Sequence, residues 1–465
     1  MKKFLLFSIL VASCVCNMWA VTDGVKYDVV NGLKIQNLWI QDRAHTPDVW
    51  TSQPYCNVYA RTAVMSDGYI YIAHSKAKAV IQDGDTLPQS VIYKVSALDG
   101  HLVKELPLTL DGEVYGKTPD PLSCNTVGVD NFGHLYMAPY TTVSMQYQHV
   151  YMVDKETGEM TLIASLDKQE AFENRCDYID VMGDITREQA ECNIMAAASG
   201  TEYLFRWHAD QGWDFEGGFE GPSYYYNGDQ YWPLSVTNWG TAPVVKMVLG
   251  EDEENRYSGE LFYVDGFTAA PLLFDLTGSL VGSFENVDPE FYPMDVGANG
   301  VCEFSIDGRN FIVFVAAQYT GYSEKIDKTL ACQVYICELG EAMSMDGMQR
   351  YWMVPDALGE MTDTGTRVES MNVEYGTDEN GNEQITLFIF KCFNGMAVYR
   401  ITLDDGEQPI GVPGDVNGDG NVNIADINAV IDLILSASYS KAGDVNGDGS
   451  VNIGDINALI SIILK

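Results

Sequence analysis

The chain has 465 residues, 46% of them hydrophobic, with 66 acidic against 27 basic side chains and a formal net charge of −39. A field of that sign repels nucleic acid and anionic membrane surfaces, so neither is expected as a partner. The length provides for two or three domains with a sizeable core.

Lys2 and Lys3 precede an apolar run from Phe4 to about Val15. The run is too short to span a membrane and reads as a secretory signal peptide over residues 1–20, cleaved after Ala20. Val11-Ala-Ser-Cys14 is also similar to a bacterial lipobox, which would place a lipid on Cys14. The apolar Val15, Met18 and Trp19 make a poor polar tether, so cleavage is the preferred expectation. No other apolar run reaches spanning length, so no transmembrane segment is expected. The predicted location is secreted or on a bacterial cell surface.

From residue 25 to residue 405 the pattern is short apolar runs separated by turn residues, each run too short for a helix. Leu33–Ile40 alternates as a single strand. Arg61 then opens the first of six similar units: Ala63–Met65, Tyr69–Ala73, Val91–Val95 and Leu102–Leu106. Asn125, Asp177, Asn238, Asn299 and Asn372 open the other five. In the third unit the fourth strand is expected at Trp213–Glu216, and the sixth unit lacks a fourth strand altogether. Units of about 40–60 residues with four strands each indicate a six-bladed β-propeller. An open sheet edge invites aggregation, so Leu33–Ile40 is expected to supply the missing strand and close the ring.

Eight cysteines follow Ala20, most of them inside apolar strands, where the thiol behaves as a small hydrophobe. Connectivity cannot be read from the sequence; Cys124 and Cys176, each before an opening residue in neighbouring blades, are the first candidate pair.

Residues 406–413 form a linker with two prolines near its end and no periodicity. Two near-copies follow, Gly414-Asp-Val-Asn-Gly-Asp-Gly-Asn-Val-Asn-Ile-Ala-Asp426 and Gly443-Asp-Val-Asn-Gly-Asp-Gly-Ser-Val-Asn-Ile-Gly-Asp455. Calcium is a hard ion that takes six to eight oxygens, and a twelve-residue loop offers them at positions 1, 3, 5, 7, 9 and 12. In the first copy these are Asp415, Asn417, Asp419, the Asn421 carbonyl, Asn423 and Asp426. In the second they are Asp444, Asn446, Asp448, the Ser450 carbonyl, Asn452 and Asp455. Gly420 and Gly449 make the sharp turn at position 6. Helices are predicted over Asp426–Leu435 and Asp455–Leu464, with Ile427, Val430, Ile431 and Ile434 on one inner face of the first and Ile456, Leu459, Ile460 and Ile463 on that of the second.

This duplicated loop–helix pattern resembles a type I dockerin over residues 414–465. The resemblance implies a small α-helical module with two EF-hand-like loops, two calcium ions and a cohesin-like protein partner. It further implies attachment of an exported enzyme or binding protein in polysaccharide breakdown. In that family loop positions 10 and 11, often Ser-Thr, help to choose the cohesin. Here they are Ile424-Ala425 and Ile453-Gly454, a departure that leaves calcium ligation untouched and bears on the choice of partner.

The propeller carries no Gly-x-Ser-x-Gly elbow, no His-Glu-x-x-His and no phosphate-binding glycine loop, so no catalytic residue is nominated. Two constellations are candidates for ligand binding. One is the ring of openers, Arg61, Asn125, Asp177, Asn238, Asn299 and Asn372, with Arg175 beside Asp177; these groups either line a mouth of the central channel or satisfy main-chain groups at strand starts. The other is the aromatic stretch around Tyr224, Tyr226, Trp232 and Trp239, which offers either sugar platforms or packing between blades. The preferred function is carbohydrate or protein binding by the propeller. The alternatives are a catalytic propeller, as glycoside hydrolase or polysaccharide lyase, and a structural surface protein whose dockerin folds back on its own propeller.

Overall fold

The computed structural model describes residues 27–404 and 414–464, apart from residues 31, 83, 116–121, 143, 169–174, 202, 210–231, 234–238, 251–255, 258–259, 284–296, 317–332, 341–348, 352–357, 360–367, 379–380, 415, 417–421, 437–442, 444 and 447–449. The signal peptide and lipobox lie outside these residues, as do the linker, Trp213–Glu216, Asn238, Tyr224 and Tyr226.

Six sheets form six blades, antiparallel throughout except where Thr109–Leu110 joins the outer edge of the second in parallel. Their inner strands are Ala60–Ser66, Leu122–Val129, Cys176–Gly183, Val244–Val248, Ala298–Ile306 and Glu369–Thr377. Each blade then steps outward, as in the first, through Tyr69–Gln82, Asp85–Ser96 and Leu102–Pro107. The inner hairpins of the first and fifth blades turn on Asp67-Gly68 and Asp307-Gly308, all four residues having positive φ. That is the two-residue turn whose twist matches the strands it joins.

The ring closes as the pattern requires. Leu33–Asp42 pairs antiparallel with Gly395–Leu403, from Leu33 opposite Leu403 to Asp42 opposite Gly395, and so becomes the outer strand of the sixth blade. Tyr27–Val30 adds one further strand beyond it. In the third blade the outermost strand is Trp232–Pro233.

Apolar side chains from both faces of each blade meet those of its neighbours in six separate cores, one for each junction. The closing strand feeds two of them. Leu33, Ile35 and Ile40 enter the core between the fifth and sixth blades, while Trp39 enters the one between the sixth and first. Cys124 lies in the core between the first and second blades and Cys176 in the core between the second and third. The second blade separates them, so this candidate pair does not bond, and both are free thiols.

At the C-terminal end, helices span Ile424–Leu435 and Ile453–Ile463, each starting two residues earlier than expected. Both begin with a capping box: the Asn423 or Asn452 side chain accepts a main-chain N–H of the first turn, and Asp426 or Asp455 accepts the N–H of that same Asn. These reciprocal bonds satisfy donors the helix cannot. Val430 and Leu459 are buried, whereas Ile431 and Ile460, expected on the inner face, are exposed.

Candidate functional site

The opening residues join blades. Arg61 Nε donates to Asn125 Oδ1 at 2.7 Å, and Asn125 Nδ2 donates to the Asp177 carbonyl. Arg175 Nε donates to Asp177 Oδ2 at 2.9 Å. Asn299 Nδ2 donates to the Thr241 and Ala242 carbonyls at 2.9 and 2.8 Å. Asn125, Asp177 and Asn299 are buried. The backbone explains the orientation. Strand pairing skips residues between Ala60 and Ala63, between Cys176 and Ile179, and between Ala298 and Val301. Each irregularity falls on the opener, and a bulge re-aims a side chain out of the alternation. Asn125 and Asn299 thus satisfy main-chain carbonyls across blades, whereas Arg61 and Arg175 pair with side chains.

Asn372 differs. The sixth inner strand begins at Glu369, so Asn372 sits in mid-strand, in regular pairing with Phe388. It clamps Met65 of the first blade and also lines the channel. Trp239 is fully buried, its ring edge-on to Phe274 with centroids 6.2 Å apart, so it packs within a core rather than offering a platform. For Trp232 only the strand is described.

The central channel encloses about 390 Å³ and is lined by residues from the inner strands of all six blades. Its wall mixes apolar residues, Ala63, Met65, Val127, Val181, Met182, Val244 and Val301 among them, with polar and charged ones. Charges stand at mid-strand. Lys246 Nζ donates to Asp180 Oδ1 at 2.6 Å, and Asp180 Oδ2 accepts the Met247 N–H at 2.8 Å. Glu303, on the next blade, also lines the channel, and its Oε2 is enclosed without a hydrogen-bond partner. Burial pushes the Glu303 carboxyl up to about 7, an effect the Lys246 charge offsets in part. Glu369 lines the channel too and is held by a buried ion pair with Lys391. At the strand ends Tyr375 is 64% exposed and takes a 3.1 Å hydrogen bond from the Ser305 N–H on its hydroxyl.

None of Asp180, Lys246, Glu303 or Tyr375 stands out by motif. A signal exists in hindsight: single charges interrupt the apolar runs Tyr178–Met182, Val244–Val248 and Val301–Phe304. A lone charge inside a strand buried on both faces needs a reason.

Asp130, His134 and Asp184 form a further cluster with metal-like spacing. Asp130 accepts from the N–H groups of Phe132, His134 and Ile185, and Asp184 from those of Thr186 and Gln189. Main-chain donors thus engage both carboxylates, and the cluster builds the corner between the second and third blades.

In the C-terminal loops, Asp426 and Asp455 are fully buried. Asp426 Oδ1 accepts from the Val416 N–H and Oδ2 from the Asn423 N–H, both at 2.8 Å. Asp455 accepts from the N–H of Asn446, one loop position later than Val416, and from that of Asn452, at 3.1 and 2.8 Å. Position 12 therefore draws the two ends of each loop together around a buried carboxylate, an arrangement that fits a calcium ion and its all-oxygen ligand set. Asn423, Asn446, Ser450 and Asn452 are the other described residues of the predicted set. Asn423 and Asn452 also serve as helix caps.

Fold and loops together define a propeller protein with a duplicated loop–helix module. Residues 413–464 match the family model of the dockerin type I domain. A search of curated proteins gives no match to the chain. Among solved structures, a DUF4623 family protein from Bacteroides eggerthii DSM 20697 is similar at 12% identity over 75% of this chain and 72% of that one, with a TM-score of 0.52. An aldose sugar dehydrogenase from Streptomyces coelicolor is similar at 10% identity over 74% and 95%, with a TM-score of 0.36. An exo-beta-1,3-galactanase from Clostridium thermocellum is similar at 11% identity over 71% of each chain, with a TM-score of 0.34. The first likeness bears on the fold, and the other two carry no argument. Among the described residues no helix is long and apolar enough to cross a membrane.

Proposed function

We propose that the protein is an exported, calcium-binding modular protein of bacterial polysaccharide recognition or breakdown. Its C-terminal module fastens it to a cohesin-like partner, and its propeller recognises the glycan. Each loop holds one calcium ion through its six predicted positions. The observation that carries the reading is the duplication itself. The two capping boxes are equivalent, and Ile424 and Ile453 at loop position 10 are 73% and 72% exposed. Large apolar side chains held out by buried loop geometry at matching places suit a protein partner. The test is capture of the full chain on a panel of cohesins, with calcium and with chelator, together with a glycan array. Capture by no cohesin under calcium would remove the attachment role.

A catalytic propeller is the second reading. It is favoured by the Glu303 carboxyl, which lines the channel with an unpartnered oxygen and is raised by burial toward neutral pH. Release of reducing sugar or of unsaturated product by the full chain separates it from simple binding.

A further inference from the structure

The channel brings three unlike groups to one cavity. Lys246 carries three N–H donors, of which one goes to Asp180, and its side chain is 32% exposed. Glu303 Oε2 is an enclosed acceptor with no partner. The two side chains come from adjacent blades and line the same cavity without forming an ion pair to each other. A group that accepts from an ammonium and donates to a carboxylate completes both, and a hydroxyl does so without charge. Tyr375 adds an exposed aromatic face on the same lining, its hydroxyl held by the Ser305 N–H.

Charge decides against an anionic ligand, which would meet Glu303 and Glu374 in a lining where Lys246, the one basic residue among those described, is already paired with Asp180. A ring with hydroxyls at its edge and C–H groups on its face meets all three features. Shape decides the mode. A cavity ringed by six inner strands is entered along the axis, so a polymer presents an end and not its flank.

We propose that the channel binds a neutral sugar residue at the end of a glycan chain, its hydroxyls bridging Lys246 and Glu303 and its C–H face resting on Tyr375. The proposal rests on the carbohydrate-recognition reading and names the site and ligand class for it.

The test uses the full chain on an array of neutral and acidic oligosaccharides, followed by calorimetric titration with the neutral oligosaccharide bound best. Wild type is expected to bind neutral chains, and Glu303→Gln, Lys246→Met and Tyr375→Ala each to weaken binding about tenfold or more. Tyr375 is exposed, so its variant keeps the fold and guards against misreading a folding defect. A chain blocked at both ends should compete poorly with the same chain left free. Equal binding by wild type and all three variants overturns the channel site while carbohydrate recognition stands elsewhere on the propeller. Binding of acidic chains alone overturns the neutral class. Binding of no glycan removes the recognition reading, and this site with it.

Discussion

Asn372 of the sixth blade grips the main chain of Met65 in the first: its Oδ1 accepts the Met65 N–H at 2.9 Å and its Nδ2 donates to the Met65 carbonyl at 2.8 Å. One amide thus satisfies both main-chain groups of a residue across the junction where the ring closes. Asn372→Ala would leave a donor and an acceptor unpaired on the buried Met65, at a cost of about 1–3 kcal/mol. Thermal unfolding should show a lower Tm. Asn299→Ala should behave alike, since Asn299 serves two carbonyls of the fourth blade. Unchanged melting of both variants would show that these bonds contribute nothing to the ring.

The closing strand should be indispensable. Deleting Leu33–Asp42 removes Leu33, Ile35, Trp39 and Ile40 from two cores and bares the edge Gly395–Leu403. At roughly 1.5–3 kcal/mol per buried side chain, the loss rivals the whole stability of an ordinary domain. The expected result is insoluble or protease-sensitive protein. A truncated chain that unfolded cooperatively at the wild-type temperature would refute closure by this strand.

Glu303 should make stability fall as pH rises. Its carboxyl is raised from an ordinary 4.5 to about 7, with burial as the main cause. Between those values the folded state holds a proton that the unfolded state has released, so each step up in pH favours unfolding. The penalty is complete above about 7 and amounts to at most about 3 kcal/mol. Glu303→Gln should therefore be more stable than wild type at pH 8 and nearly equal to it at pH 4. Denaturant titrations at the two pH values check this, and a variant less stable at pH 8 would contradict it.

Chelation should unfold the C-terminal module and spare the propeller. Without a cation, the acidic loop positions crowd together around Asp426 and Asp455. Addition of EGTA should reduce the helical dichroism and open residues 414–464 to protease. Asp426→Ala should do the same in part with calcium present, because it loses two bonds to a buried carboxylate, worth at least about 2 kcal/mol. Helical signal unaffected by chelator would exclude calcium from the module's fold.

The sequence by itself determined the number of blades, the closing strand and the duplicated loops, because each of these is local. Alternation, turn residues and a twelve-residue ligand spacing are all written within a few dozen consecutive positions. Tertiary structure decided which polar residues meet in the channel. Asp180, Lys246, Glu303 and Tyr375 come from four different blades, and nothing short of the closed ring sets them around one cavity. The openers show the same limit from the other side. A bulge at Arg61 or Asn299 turns a side chain toward a neighbouring blade, and alternation alone cannot register that shift. Cys124 and Cys176 are matched in sequence position, yet they sit on opposite sides of one blade, in separate cores.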